Sequence, residues 1–185
     1  MSPGAHLLFS WLSGIELLKN RRERSFVALA GIAPDLDGLG VIVDKITRTT
    51  NYFFQHHHYL GHSIFAAILF ASIASFLSKT QKITVWLLSF FVIHLHILCD
   101  VIGSRGPDGY QWPVYYLYPI FPNLGLTWKH QWELNAWQNL LILFVLFCIS
   151  FYYAATKQIS FLEVFSSRLD KEAFAMYKKY VRKET

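Results

Sequence analysis

Six of the eight histidines fall in two short groups, and aspartates lie nearby in the chain. The candidate donors are His56, His57, His58 and His62, then His94, His96 and Asp100, and the more N-terminal His6, Asp35 and Asp37. Most of these side chains lie inside or beside strongly apolar segments, where an unpaired neutral polar group costs about 2–7 kcal/mol. We therefore interpret them as donors to a shared metal ion.

The second histidine group lies on a strongly predicted helix. His96 and Asp100 are four residues apart, so their side chains share one face and can bind one ion. His94 lies about 200° around the helix from His96 and is not expected to join that site. Both His96 and Asp100 interrupt an apolar segment, where an ionisable residue is a functional hypothesis by default. A core or interface ion pair is the alternative interpretation.

The first histidine group and the Pro34-Asp35-Leu36-Asp37 motif complete the donor set. If the next helix begins after the histidines, His57 can reach inward from a loop. Three adjacent histidines cannot all face one ion, so we expect one or two to be solvated or to orient the ligands. Asp35 and Asp37 are two residues apart and can point to one side. A polar helix start and a helix-capping aspartate are the respective alternatives.

The donor chemistry narrows the choice of metal and of reaction. Mixed imidazole and carboxylate ligation suits Zn, Mn or Fe better than Ca or a thiolate-bound structural zinc. Six or more donors exceed what one tetrahedral ion needs, so one or two divalent ions are expected. Such a site activates water and binds an ester or phosphoryl oxygen, which is hydrolase chemistry.

The elements that position these donors are predicted to be helices. Hydrophobic residues make up 54% of the chain and charged residues 16%, with a mean hydropathy of +0.30. Residues 134–156 carry no charge and are long enough for a membrane span of ~20 residues. We predict an all-α, multi-helix, membrane-embedded bundle, with a buried helix in a soluble bundle as the alternative. Predicted helices cover about 5–19, 57–76, 83–102 and 132–155, in a membrane domain of residues 1–158 followed by an amphipathic basic C-terminal helix in 159–185.

Charge placement predicts which end of the bundle holds the donors. If the helices alternate in direction, 13 of the 17 Lys and Arg share one end, the basic end, formed by residues 19–24, 79–82 and everything after 156. The positive-inside rule makes this end cytoplasmic. The opposite, histidine end then holds His6, Asp35, Asp37, His57, His62, His96 and Asp100. We expect a multi-pass protein of the bacterial inner membrane with its site toward the outer face, and no binding of nucleic acid.

Four short motifs occur in the order and spacing of one protein family. They are Ala5-His6, Gly31-Ile32-Ala33-Pro34-Asp35-Leu36-Asp37, His57-x4-His62-Ser63 and His96-Ile97-Leu98-Cys99-Asp100. Over roughly residues 1–113 the chain resembles the bacterial inner-membrane metal-dependent hydrolases of the LexA-regulated type, which are distantly similar to zinc-dependent phospholipase C. The resemblance implies a phospholipase C-like helical core. It also implies metal ligands at His6, Asp35, His57, His62, His96 and Asp100, with Asp37 a ligand or general base.

The expected function is hydrolysis of an ester or phosphoester in a lipid or another small molecule. A water activated by the metal, for which zinc is favoured over manganese or iron, attacks the substrate, and Asp37 or His58 takes the proton. Trp112, Tyr115 and Tyr116 are expected to form an apolar wall for the substrate. The alternatives are a non-enzymatic membrane protein with a structural or transported metal, and a soluble phospholipase-like enzyme. The oligomeric state is left open.

Overall fold

The computed structural model describes residues 1–180, and over this range the fold is all-helical, as the sequence predicts. The helices are α1 Pro3–Ile15, α2 Arg21–Ile32, α3 Gly40–Thr47, α4 Tyr52–His56, α5 Ile64–Leu77, α6 Lys82–Gly103, α7 Trp137–Lys157 and α8 Ser167–Tyr180. Short 3₁₀ helices cover Ala33–Leu39 and Phe161–Val164. The long connection between α6 and α7 is irregular, and it forms isolated bridges in place of strands.

Side-chain caps explain where several helices begin. The side chains of Ser2, Asn20 and Ser63 accept hydrogen bonds from backbone N–H groups at the starts of α1, α2 and α5. Such caps satisfy donors that have no partner inside the helix. The prediction that a helix starts near residue 57 is wrong for this reason: Ser63 is the N-cap, and α5 starts only at Ile64. Residues 57–63 form a turn, which leaves the histidines free to face different directions.

The core lies where α1, α2, α5 and α6 pack together. Its buried members include Val27 of α2, Ala67 of α5, and Val92 and Ile93 of α6. Small residues on α5 allow close approach to α6, because Ala67, Ala71 and Ala74 are its buried positions. The four packed helices therefore form a rigid frame for side chains at their ends.

Apolar surface on the outside of the bundle is consistent with a lipid environment. Within the described residues, three helical stretches are long and apolar enough to cross a membrane: Arg21–Thr47, Lys82–Gly103 and Trp137–Lys157. In α7 the buried residues are Asn139 and Ser150, whereas large side chains such as Phe144 and Phe147 are exposed. An apolar helix with its large side chains outward is stable in lipid rather than in water.

The turns predicted to share the basic end do lie together. Gln81 donates to the backbone oxygen of Leu17 (3.2 Å), and Lys157 pairs with Glu16 (2.5 Å). The predicted C-terminal amphipathic helix corresponds to α8, preceded by the 3₁₀ turn that contains buried Glu163. The last part of the predicted 159–185 segment, including Arg182 and Lys183, lies outside the described residues.

Candidate metal centre

Four side chains converge at the histidine end. Asp35, His62, His96 and Asp100 each offer one ligand atom, and these four atoms all lie within 4.8 Å of one another. His96 Nε2 is 2.9 Å from Asp100 Oδ2, 3.2 Å from His62 Nε2 and 3.6 Å from Asp35 Oδ1. His62 Nε2 is 3.3 Å from Asp100 Oδ2. Imidazole nitrogens and carboxylate oxygens in this number suit a divalent transition metal.

Three separate elements supply the four side chains. His96 and Asp100 are one turn apart on α6, as predicted. His62 comes from the turn before α5, and Asp35 comes from the 3₁₀ helix that follows α2. His62 and His96 are fully buried and Asp100 is 2% exposed, whereas the side chain of Asp35 is 24% exposed. The cluster is therefore closed by protein on most sides and open at Asp35.

Hydrogen bonds on the far side of each ring orient the two histidines. His96 Nδ1 lies 2.7 Å from the backbone oxygen of Gly31, which can only accept, so Nδ1 carries the proton. His62 Nδ1 lies 3.0 Å from Asp37 Oδ2 and donates in the same way. Because each neutral ring has one N–H, both Nε2 atoms then present lone pairs toward Asp100. Partners of this kind are typical of metal-ligating histidines.

This arrangement requires a positive charge at its centre. Two lone pairs and a buried carboxylate repel one another unless a proton or a cation lies between them. Burial acts to lower the pKa of His62, but its hydrogen bonds to Asp100 and Asp37 outweigh that effect and raise the pKa to about 9. The site thus favours positive charge strongly, and a metal ion can take the place of the extra proton.

His6 lies beside the four-residue group and faces the other oxygen of Asp100. Its Nε2 is 3.4 Å from Asp100 Oδ1, and its ring stacks on His96 with centroids 3.7 Å apart. Neither ring nitrogen has a hydrogen-bond partner within residues 1–180, although the side chain is fully buried. Burial lowers the pKa of His6, and the nearby carboxylate of Asp100 only partly opposes this effect. The terminal amine of Met1 also lies 2.5 Å from Asp100 Oδ1.

The other first-group residues surround His62. One oxygen of Asp37 accepts a hydrogen bond from His57 Nδ1 and the other accepts one from His62 Nδ1, each at 3.0 Å. His57 therefore contacts Asp37 and does not belong to the group of four. His58 is buried, and the centroid of its ring is 4.4 Å from that of His62. Burial and the neighbouring His62 hold the pKa of His58 well below its usual value. His56 is exposed, as expected for one of three adjacent histidines.

Two of the three predicted substrate-binding residues lie near the cluster. Trp112 and Tyr115 line a pocket of about 250 Å³ that His57 also borders, together with Tyr59 and further aromatic rings. We call it the aromatic pocket. Tyr116 does not line this pocket. Its hydroxyl is 2.8 Å from Nε2 of His94, on the face of α6 that points away from His96 and Asp100.

Sequence reasoning missed the groups that hold the end of α6 in place. Gln131 is 1% exposed and donates to the backbone oxygens of Asp100 (2.9 Å) and Val101 (3.2 Å). Asn139 donates to the backbone oxygen of Gly103 at 2.8 Å. These amides satisfy carbonyls that have no partner within the helix. The sequence signal for this contact is Asn139 itself, a polar residue within the apolar segment 134–156.

The fold and the cluster define a class: a helical protein with candidate membrane spans and a buried histidine–aspartate cluster at one end. The chain belongs to the YdjM inner membrane protein family, whose profile matches residues 1–164. The comparisons with curated proteins and with solved structures gave no match. The family confirms the predicted inner-membrane character, and the predicted hydrolase activity and likeness to phospholipase C stay predictions.

Proposed function

We propose that the chain is a membrane-embedded, metal-dependent hydrolase of ester or phosphoester bonds. The observation that supports this proposal best is the convergence of His62 Nε2, His96 Nε2 and Asp100 Oδ2, with both histidine N–H groups donating elsewhere. Asp35 would complete the ligand set from the exposed side. These residues would hold a divalent cation, for which zinc is the first choice and manganese or iron the alternatives. When bound, the cation would lower the pKa of a water toward 7 and polarise an ester oxygen.

The chain's own residues would serve the reaction in two ways. Asp37 holds His62 in its orientation, and this geometry favours an orienting role for Asp37 over the predicted roles of ligand or base. His58 is the proposed general base, because Nδ1 is buried without a hydrogen-bond partner in the described range and the ring contacts that of His62. Water would add to the carbonyl carbon or phosphorus, the ester C–O or P–O bond would break, and the leaving alcohol would take the proton.

His6 and His57 would contribute less directly. His6 Nε2 faces Asp100 Oδ1, and neither ring nitrogen has a hydrogen-bond partner among residues 1–180, so His6 is a candidate donor to a second ion. His57 donates to Asp37 and borders the aromatic pocket, so it lies between the cluster and the space where a substrate would bind. Trp112 and Tyr115 line that pocket, whereas the position of Tyr116 does not support a contact with substrate there.

The proposed site would face the outside of the inner membrane. The basic end of the bundle holds most of the Lys and Arg, and the cluster lies at the opposite end of α1, α2 and α6. Positive residues are retained on the cytoplasmic side. Substrates would then reach the cluster from the outer leaflet or from the aqueous phase next to it.

Reconstitution with metal tests the proposed activity. The purified chain is stripped with a chelator in detergent, reloaded separately with Zn, Mn or Fe, and assayed with chromogenic phosphoesters and carboxyl esters. We expect hydrolysis of one class after reloading, and its loss in Asp100→Asn. His94→Ala, on the opposite face of the same helix, is the matched control and should retain activity. Full metal occupancy without hydrolysis of phosphoesters or carboxyl esters would refute the proposed hydrolase activity.

The burial of three ligands favours a second candidate, a structural metal in a non-enzymatic membrane protein. His62 and His96 are fully buried, and structural sites are closed whereas catalytic sites keep an open position. The exposed edge at Asp35 separates the two candidates. A small anion such as fluoride or azide would bind to the metal of an open site and change the spectrum of a cobalt-substituted protein. It would leave the spectrum of a closed site unchanged.

A further inference from the structure

A second pocket, of about 410 Å³, adjoins the cluster on the side of α5. We call it the α5 pocket. Its polar lining is Asp37, with Gly61 and Ser63. The remaining lining is apolar and consists mainly of Leu36, Leu60, Phe65, Leu69, Phe70 and Pro119. A volume of this size lies within the range of small-molecule sites, which is about 300–1,000 Å³.

Asp37 connects the α5 pocket to the rest of the site. One of its oxygens is 3.0 Å from His62 Nδ1 and the other is 3.0 Å from His57 Nδ1. His57 in turn borders the aromatic pocket. The hydrogen-bonded Asp37–His57 pair therefore lies between the two pockets, next to the His62 ring. One pocket is almost wholly apolar, and the other offers tyrosine hydroxyls and the Gln55 amide.

Part of the lining of the α5 pocket comes from an apolar, exposed helix face. Phe65 and Leu69 line the pocket and are 44% and 56% exposed, and Ile68 beside them is 44% exposed. Helix α5 carries no charged residue over its whole length. An exposed apolar face of this kind fits contact with the bilayer. A hydrocarbon chain could pass from the bilayer into the pocket without crossing water.

We propose that the α5 pocket binds the hydrocarbon chain of an amphiphilic substrate, and that the aromatic pocket binds its polar head. The junction of chain and head then lies beside the Asp37–His57 pair, across the His62 ring from the other ligands. This assignment rests on the proposed function and names its substrate class: a lipid-like ester or phosphoester drawn from the membrane. Transfer of each methylene into an apolar site strengthens binding roughly 4-fold, so chain length should control affinity until the pocket is full.

Binding of alkylphosphonates tests the assignment without any turnover, because their C–P bond resists hydrolysis. Affinities of the purified full-length chain are measured in one detergent for phosphonates of about 4, 8 and 12 carbons, chosen to span the per-methylene gain. The variant is Ala66→Trp, which places a large ring in the lining of the α5 pocket. The matched control is Ile68→Trp, two residues along the same helix and outside the lining, so both variants experience the same partition of ligand into micelles.

We expect the wild-type affinity to rise with chain length. Ala66→Trp should weaken binding of the longest phosphonate at least 10-fold and leave the shortest within twofold, whereas Ile68→Trp should change neither. Unchanged binding of the shortest ligand shows that Ala66→Trp is folded. Equal wild-type affinities across the series, or equal effects of the two variants, would overturn the assignment. Binding that depends on chain length, without hydrolysis of any ester, would support the role of the α5 pocket and refute the hydrolase activity. Failure of one proposal can therefore be distinguished from failure of the other.

Discussion

The two ends of the bundle both bury charged groups, but they balance those charges in different ways. At the basic end, Arg24 is 5% and Glu163 is 2% exposed. The guanidinium donates to both carboxylate oxygens, at 2.6 and 2.7 Å, and to the backbone oxygens of Leu18 and Lys19. Trp11 Nε1 adds a further donor to Glu163 at 2.9 Å. This network is complete within the protein.

At the histidine end, neutral rings would leave acceptors facing acceptors. Nε2 of His62 and Nε2 of His96 are 3.2 Å apart, and both lie close to Asp100 Oδ2. Their N–H groups are used on Gly31 and Asp37. Burying charge is costly at either end. Arg24 balances Glu163 completely, whereas at the histidine end the Met1 amine contacts only Oδ1 of Asp100, and Oδ2 still faces two ring nitrogens. A buried cluster that needs an added cation indicates a ligand site, whereas a complete one indicates structure.

Breaking the network at the basic end should have the largest effect. Glu163→Ala leaves the Arg24 guanidinium buried without its carboxylate, and we expect a loss of about 3–5 kcal/mol in the free energy of unfolding. Chemical denaturation in detergent measures the loss, which a metal chelator should not change. The control is Glu172→Ala, whose pair with Arg168 is exposed and should contribute less than about 1 kcal/mol. Similar losses in both variants would contradict the structural role of the network.

Removing the partner of His62 should weaken metal binding without unfolding the protein. Asp37→Asn replaces one of two acceptor oxygens with an amide, so His57 and His62 can no longer both donate to it. Loss of such an orienting group lowers metal affinity about 10–100-fold. Competition with a chromogenic chelator measures the affinity. Asp44→Asn is the control, because Asp44 caps residues 50–53 away from the cluster. Equal metal affinities of Asp37→Asn and Asp44→Asn would contradict the role of Asp37 in orienting His62.

The smallest effect is expected at the capped end of α6. Gln131→Ala removes a donor from the backbone oxygens of Asp100 and Val101, and we expect a loss of about 1 kcal/mol in the free energy of unfolding. Gln111→Ala removes an exposed hydrogen bond to Lys129 and should cost less. Denaturation curves of the two variants, recorded without added metal, make the comparison. A greater loss in Gln111→Ala would show that the buried amide is not what holds this helix end.

The helical fold was predictable from local patterns because its helices are strongly apolar. Helix α6 was predicted at 83–102 and spans Lys82–Gly103. The start of α5 differs from the prediction near residue 57, because the apolar pattern does not mark the helix start and the N-cap Ser63 does. Helix spacing also placed His96 and Asp100 together, and His94 apart from them.

The details of the cluster depend on contacts that local patterns do not contain. The tautomer of His96 depends on the backbone oxygen of Gly31, 65 positions away in the chain. Backbone oxygens carry no residue-type signal. The exclusion of His57 from the four ligands likewise follows from its hydrogen bond to Asp37, which requires the two turns to lie together in the fold. Residue types therefore predicted a set of donors, and only the tertiary contacts divided it into ligands and orienting groups.

The metal content of the purified chain tests the central claim most directly. Wild type, His96→Ala and His94→Ala are purified in the same detergent, incubated with excess zinc, desalted and analysed for bound metal per chain. The account predicts bound metal in the wild type and in His94→Ala, and its loss in His96→Ala. Equal metal content in all three proteins, or none in the wild type, would contradict the assignment of a metal centre to the histidine end.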